Sequence, residues 1–193
     1  MCAALSDMGA EVIRIESTLG TDQSRTNIDG KSEYRLKLES QRHARGRDYY
    51  ITLNLSSVDG YQLLVDILKT ADVFICNLSP KVVEKFHLSY EELLPVRPDL
   101  IMATISAAGY TGPWNDLMAM GPAINPVVGS DSLVGYPDTG ELMLSYWDPD
   151  PAMGTMGYYA VMLALYHREE TGEGQLLDLS FCELLPNLIP EAF

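Results

Sequence analysis

The stretch Asp72-Val73-Phe74-Ile75-Cys76-Asn77 decides the fold. It is a short and almost uninterrupted apolar run, bounded on each side by a polar residue and built largely from residues that favour β-structure. A strand with one face in water alternates apolar and polar residues, whereas a parallel strand covered on both faces reads as a continuous apolar run. The stretch therefore predicts a strand of a covered, parallel sheet.

Strands and helices alternate on both sides of this strand. Further strands are predicted at Glu11–Glu16, Tyr49–Leu55 and Leu100–Ser106, and short helices at Met1–Met8 and residues 33–40. Ser56 or Ser57 is expected to cap an amphipathic helix with Leu63 and Leu64 on its apolar face, and Ser89 opens a capping box. This alternation is typical of βαβ units, so the sequence predicts an α/β fold with a doubly wound parallel sheet.

The ligand site of such a sheet lies beyond the carboxyl ends of its strands. The predicted strands end at Glu16, Leu53–Ser56, Asn77–Pro80 and Ser106–Gly109. The chain contains neither a GxGxxG nor a Walker loop, so the sequence does not support a conventional dinucleotide or nucleoside triphosphate site.

Composition narrows the class of protein. With 193 residues, 47% of them hydrophobic, the chain can bury the core of one domain. A net charge of −14 argues against nucleic acid and against anionic membranes as partners. Eight of the thirteen Lys and Arg residues fall between Arg14 and Arg47, where they form either a solvated face or a patch for a small anion.

The cysteines and histidines predict neither disulfides nor a metal site. Three cysteines without a CxxC pair are typical of reduced thiols in a cytoplasmic protein, and the three histidines stand apart from them and from each other. The apolar run Tyr158–Tyr166 is too short to span a bilayer, and no signal peptide is evident.

A second informative stretch is Tyr146–Gly154, where Asp150 stands between Pro149 and Pro151 on a turn ahead of a helix that we expect to be buried. A carboxylate at this position faces the positive end of the helix dipole, which favours its ionised and nucleophilic form. Asp148 or Asp150 equally fits a simple helix cap, and the local sequence by itself favours that interpretation.

Taken together, six ordered segments resemble the class III CoA-transferases, the family that includes formyl-CoA transferase and the carnitine CoA-transferases. The segments are Leu5–Glu16, Ile51–Leu55, Ala71–Asn77, Arg97–Ile101, Gly109–Pro113 and Thr171–Gln175. Each segment is weak alone, but their order and spacing match the family from end to end. The resemblance implies a Rossmann-like large domain.

The resemblance also implies the site residues. Counting back from Thr171–Gln175, and checking against Gly154, the aspartate that attacks the acyl-CoA thioester falls on Asp150. The residues that grip coenzyme A map to Leu53, Asn54, Leu55, Ser56, Asn77, Leu78, Ser79 and Lys85. Coenzyme A is then a substrate and not a permanently bound cofactor, the acceptor is a carboxylic acid, and the reaction needs neither ATP nor a metal.

We expect residues 1–193 to be a partial CoA-binding large domain that lacks the family's first strand and small domain. Members of the family form interlocked dimers, so a homodimer or heterodimer is expected for the full-length protein. The chain departs from the family pattern at several positions, which are Ser17, Asp48, Ser79, Lys81, Met120 and Gly121.

Two other functions stay open. One is an α-methylacyl-CoA racemase, in which a histidine and the equivalent aspartate form an acid/base pair; the histidine would fall near Met120, whose thioether cannot transfer protons. The other is a non-catalytic CoA-binding segment or subunit, which Asp48 favours because an acid there would repel CoA phosphates.

Overall fold

The computed structural model describes residues 1–17, 48–119, 121–138, 140–141 and 149–190. The helix predicted at 33–40, Asp148 and Met120 lie outside these described residues. The chain divides into two compact units, Met1–Thr70 and Ala71–Phe193. That residues 1–193 form part of one large domain stays a prediction.

The first unit is built around a parallel pair of strands. Its elements are α1 (Cys2–Asp7), β1 (Val12–Glu16), β2 (Asp48–Thr52) and α2 (Val58–Leu68). The pairing runs in register from Val12 opposite Asp48 to Glu16 opposite Thr52. The predicted second strand is therefore too long, because residues 53–55 belong to the turn that follows β2.

Helix α2 begins as its cap predicts. The Ser57 side chain accepts a hydrogen bond from the backbone N–H of Gly60, which satisfies one of the free donors of the first turn. Leu64 and Leu68 are buried, each with 2% of its surface exposed. The prediction that Leu63 shares this face is wrong, since it is 53% exposed and the buried stripe follows the spacing of four residues.

The second unit holds most of the secondary structure. Its elements are β3 (Val73–Cys76), α3 (Pro80–Lys85), α4 (Tyr90–Leu93), β4 (Ile101–Ser106), α5 (Gly121–Val127), β5 (Gly135–Tyr136), β6 (Gly140–Glu141), α6 (Pro149–Thr171), β7 (Leu176–Ser180) and α7 (Phe181–Leu184). Short 3₁₀ turns occupy Ser130–Leu133 and Leu185–Leu188. The capping box at Ser89 is confirmed, with Glu92 as its second member.

Three parallel strands form the main sheet of this unit, in the order β3-β4-β7, and the short strands β5 and β6 form a separate antiparallel pair. The middle strand β4 is the core, and its residues Ile101–Thr104 are all buried. The predicted α/β class with parallel sheets is confirmed. Strand β7 was not predicted, because only one of its residues, Ser180, is buried and its sequence lacks a continuous apolar run.

Helix α6 packs one face against the core and leaves the other exposed. Its buried residues recur every three or four positions: Pro149, Met153, Gly157, Val161 and Ala164. Tyr159, Leu163 and Tyr166 are at least half exposed, so the helix that the sequence predicts to be buried is buried along one face only. No helix of the described residues is both long and apolar enough to cross a membrane.

Four charged side chains form a hydrogen-bonded network at the amino ends of β3 and β4. Arg168, near the end of α6, donates to the Asp72 carboxylate at 2.9 Å and to the Asp72 and Asp99 carbonyls at 3.2 and 3.3 Å. Arg97 donates to the Asp99 and Asp72 carboxylates, both at 3.0 Å. Because Asp72 and Asp99 come just before β3 and β4, this network ties the last turns of α6 to the amino ends of two strands.

Candidate active site

Asp150 lies in the first turn of α6, not on a turn ahead of the helix as the sequence suggested. Pro149 is the first helical residue and is fully buried, whereas Asp150 is exposed. Proline suits this position because the first N–H of a helix has no partner and the fixed φ is already helical. The buried ring therefore anchors the start of the helix, while the next residue, Asp150, lies at the surface.

The environment of Asp150 combines two opposing influences. Burial of the carboxyl group by surrounding protein atoms raises the pKa of Asp150 above its ordinary value, although the residue as a whole remains exposed. The helix N-terminus, with its partial positive charge, favours the anion. A carboxylate that is less hydrated and more basic is a better nucleophile, so this position suits attack on a carbonyl carbon.

The direction of α6 places Asp150 on the side of the carboxyl ends of the strands. The last turns of the helix are held at the amino edge by Arg168, and the helix packs along β4 and β7. Its 23 residues span about 34 Å at 1.5 Å per residue, so its first turn lies toward the opposite edge of the sheet. This is the edge at which the sequence places the ligand.

A groove of about 590 Å³ lies at the other end of α6, lined by Asp99, Met162, Leu165, Tyr166, Arg168, Glu169 and Gly172. Met162, its residue nearest to the start of the helix, is about 18 Å along the axis from Asp150 at 1.5 Å per residue. The groove therefore does not belong to the chemistry proposed for Asp150.

The turn after β3 and the helix α3 that follows it carry four of the predicted CoA-binding residues. Asn77 and Leu78 are exposed, and Ser79 is the partly exposed cap residue of α3. Lys85 is the last residue of that helix and is exposed, with its ammonium nitrogen 5.2 Å from the centre of the Phe86 ring. An ammonium group at this distance from an aromatic ring is attracted to the face of the ring.

The turn after β2 carries the other four predicted CoA-binding residues, Leu53, Asn54, Leu55 and Ser56, all in the first unit. The Asn54 side chain accepts a hydrogen bond from the Ser56 N–H at 3.1 Å, which makes a compact Asx turn. A β-carbon added to Gly60 would lie 2.2 Å from the Asn54 carbonyl oxygen, so helix α2 packs directly on this turn.

The second unit brings some of the predicted site residues to one edge without linking them. Asn77, Leu78 and Ser79 follow the carboxyl end of β3, and Asp150 lies toward the same edge on α6. Among the described residues, no hydrogen bond connects Asp150 to these three residues or to Lys85. The roles of all nine predicted residues stay predictions.

Three residues near this edge were not identified as site residues from the sequence. Tyr110, in the loop after β4, donates its backbone N–H to the Asp178 carboxylate at 2.9 Å. Ser106, the last residue of β4, has a buried hydroxyl without a hydrogen-bond partner in the described structure. Tyr110 belongs to the segment Gly109–Pro113, but only the pairing of β4 with β7 shows that Asp178 lies beside it.

Comparison with known proteins shows similarity along nearly the whole chain. The family model for CoA-transferase family III matches residues 1–192. The succinyl-CoA–L-malate CoA-transferase alpha subunit of Chloroflexus aurantiacus is 30% identical over 97% of this chain and 44% of its own length. The formyl-CoA:oxalate CoA-transferase of Streptomyces avermitilis is 27% identical over 95% of this chain and 44% of its own length.

A solved structure agrees in fold. A CaiB/BaiF family protein from Brucella suis superimposes with a TM-score of 0.83 and 29% identity, and the match covers 97% of this chain and 50% of that chain. The chain thus spans about half the length of the relatives that it matches. Since the family model covers nearly every residue, the chain belongs to CoA-transferase family III.

Proposed function

We propose that the protein moves coenzyme A between carboxylic acids, with the Asp150 carboxylate as the nucleophile. The observation that carries the proposal is the exposed residue Asp150, with its partly buried carboxyl group, in the first turn of α6 of a chain that matches CoA-transferase family III over residues 1–192. Its placement at a helix N-terminus and its raised pKa support this role.

The proposed reaction is a relay of covalent steps. An Asp150 oxygen adds to the thioester carbonyl of the donor, and the C–S bond breaks. Coenzyme A leaves as the thiolate, and a mixed anhydride between the donor acyl group and Asp150 remains. The thiolate attacks the aspartyl carbonyl, which releases the donor acid and leaves an aspartyl thioester. The acceptor carboxylate displaces the thiolate to form a second anhydride, and the thiolate then takes the acceptor acyl group and regenerates Asp150.

This relay needs no external energy source, because every intermediate keeps an activated carbonyl. It does require the exclusion of water, which would hydrolyse the anhydride. The turn containing Asn77, Leu78 and Ser79, the turn after β2 and Lys85 are proposed to hold coenzyme A through backbone groups and one cation. The chain's own residues would thus bind and orient the donor while Asp150 supplies the nucleophile.

The proposed substrates are an acyl-CoA donor and a carboxylic acid acceptor, in line with relatives named for succinyl-CoA, malate, formyl-CoA and oxalate. A dimer is proposed for the protein, and the first of these relatives is named as an alpha subunit, which leaves homodimer and heterodimer both open. A cytoplasmic location is also proposed.

Hydroxylamine trapping tests the proposal. The protein is incubated with succinyl-CoA, treated with hydroxylamine and digested, and the peptides are analysed by mass spectrometry. An aspartyl hydroxamate at Asp150 that is absent from Asp150→Asn supports the relay. Binding of coenzyme A without any hydroxamate would instead indicate a non-catalytic CoA-binding protein. Exchange of the α-hydrogen of a 2-methylacyl-CoA in deuterated water would indicate a racemase.

A further inference from the structure

Tyr110 links β7 to the turn beyond β3, across the end of β4, in the three-stranded parallel sheet of the second unit. It lies in the loop after β4, its backbone N–H donates to the Asp178 carboxylate of β7, and its hydroxyl donates to the Leu78 carbonyl just beyond β3. The two bonds measure 2.9 and 2.5 Å. One residue thus spans the sheet from one outer strand to the other, across the end of the middle strand.

The position of Tyr110 is itself fixed. Gly109 has a φ of +84°, a conformation that favours glycine, and this turns the chain so that the next N–H faces Asp178. Asp178 also accepts from the Thr104 hydroxyl at 3.3 Å, so its carboxylate is tied to the middle strand. The tyrosine side chain therefore reaches Leu78 from a rigid base.

The backbone of Leu78 is held by the tyrosine. Its carbonyl accepts from the Tyr110 hydroxyl, and the buried Cys76 lies two residues earlier at the end of β3. Burial, followed by the neighbouring Cys76, raises the pKa of Tyr110, so the phenol keeps its proton at neutral pH. The Leu78 side chain meanwhile stays exposed, as does Asn77. A fixed peptide between exposed side chains is pre-organised to bind a ligand through backbone groups.

We propose that Tyr110 is a positioning residue for coenzyme A. Its hydroxyl holds the Leu78 peptide in the conformation that binds the coenzyme A portion of the substrate. This inference rests on the proposed function, because it takes the Asn77–Ser79 turn as part of the CoA-binding surface.

The variant Tyr110→Phe tests the inference, because it keeps the ring and removes only the hydroxyl. Tyr90→Phe is the matched control, since the Tyr90 hydroxyl also donates to a backbone carbonyl, that of Leu100 at 3.4 Å, but at the opposite end of β4. Dissociation constants for coenzyme A are measured by isothermal titration calorimetry, at a temperature where circular dichroism shows every variant folded. Amide hydrogen exchange is measured on the same samples.

For Tyr110→Phe we expect the dissociation constant for coenzyme A to rise about three- to tenfold, the range for one lost hydrogen bond between neutral groups. Exchange should become faster in residues 77–81 and stay unchanged at the amino edge of the sheet. Tyr90→Phe should leave the affinity unchanged. If the hydroxyl groups only stabilised the fold, both variants would lose thermal stability and their affinities for coenzyme A would be the same.

The outcomes separate this inference from the proposed function. If the unsubstituted protein binds coenzyme A and Tyr110→Phe binds it equally well, the positioning role is overturned while the proposed function stands. If Tyr90→Phe weakens binding as much as Tyr110→Phe, the effect is general and the positioning role is again overturned. If the unsubstituted protein does not bind coenzyme A, the CoA-binding surface and the inference built on it both fail.

Discussion

Gly174 lies so close to Leu100 that a β-carbon added to it would stand 2.2 Å from the Leu100 carbonyl oxygen. The chain passes here from the end of α6 to the start of β7, directly over the backbone that leads into β4. Gly172, two residues earlier, has a φ of +77° and open space around it. The two glycines of one short motif are thus required for different reasons.

Gly174→Ala should destabilise the second unit strongly, by roughly 3 kcal/mol or more, because backbone atoms on both sides of the contact would have to move. Gly172→Ala is the control, and its expected cost is about 1–2 kcal/mol for a side chain in the left-handed conformation. Urea unfolding followed by circular dichroism measures both. Equal stability losses would contradict the close approach of Gly174 to Leu100.

Arg168→Lys should lower the free energy of unfolding by about 1–3 kcal/mol. The guanidinium group of Arg168 bonds to the Asp72 carboxylate and to two backbone carbonyls, and an ammonium group cannot reproduce this planar arrangement. Its side chain is 16% exposed, so solvent replaces few of the lost bonds.

Lys81→Met serves as the control for Arg168→Lys. Lys81 forms an exposed ion pair with Asp116 at 3.7 Å, and such pairs contribute little to stability. Urea midpoints of the two variants should therefore differ clearly. A loss for Lys81→Met as large as for Arg168→Lys would mean that the network at the amino edge is no more important than a surface pair.

The sequence predicted those elements whose signal is local. The apolar run of β3, the Ser57 cap and the Ser89–Glu92 capping box each depend on residues close in the chain, and all three are present. Strand β7 was missed because it is recognisable only by its pairing with β4, which lies some seventy residues earlier. Its exposed and partly buried positions alternate in the structure, but leucine occurs at both kinds of position, so this alternation is not distinct in the sequence.

The candidate site shows the same division. Asp150 could be selected from its motif, because the prolines and the following helix are adjacent to it. That Pro149 is fully buried and the next residue is exposed is a property of the packed helix, which no local pattern reveals. The bond between Tyr110 and Leu78 joins residues 32 positions apart and required the sheet to be assembled first.

Gly60→Ala should disturb the turn after β2 and, if that turn binds coenzyme A, weaken the binding. The added methyl group would lie 2.2 Å from the Asn54 carbonyl oxygen and 2.9 Å from the Ser57 hydroxyl, so the Asx turn has to shift. Helix α2 itself tolerates alanine better than glycine. We expect a dissociation constant for coenzyme A raised about tenfold or more, equivalent to roughly 1.4 kcal/mol.

Asp59→Ala is a suitable control for Gly60→Ala, because Asp59 is the exposed neighbour in the same first turn of α2. Calorimetric titration with coenzyme A compares the two variants with the unsubstituted protein. Unchanged affinity in Gly60→Ala, with the turn shown by hydrogen exchange to be altered, would remove this turn from the CoA-binding surface.

Asp150→Asn should remove a contribution that lowers stability as the pH rises through the acidic range. Because burial raises the pKa of Asp150 in the folded protein, the folded state binds more protons than the unfolded state between the unfolded value, about 3.9, and the raised value. Stability therefore falls as pH rises through this window, and the loss persists at neutral pH. Relative to the unsubstituted protein, Asp150→Asn should gain stability as the pH is raised from about 3.5 to 7.

Asp66→Asn provides a control of opposite sign for this pH dependence. Hydrogen bonds from Lys69 and then Gln62 lower the pKa of Asp66, so its contribution to stability is present above the unfolded pKa and is lost as pH falls through the folded one. Relative to the unsubstituted protein, Asp66→Asn should therefore lose stability as the pH is raised. Urea unfolding at a series of pH values measures both differences. If both variants gave the same sign, the Asp150 carboxyl would not be in the partly dehydrated position on which its nucleophilic role depends.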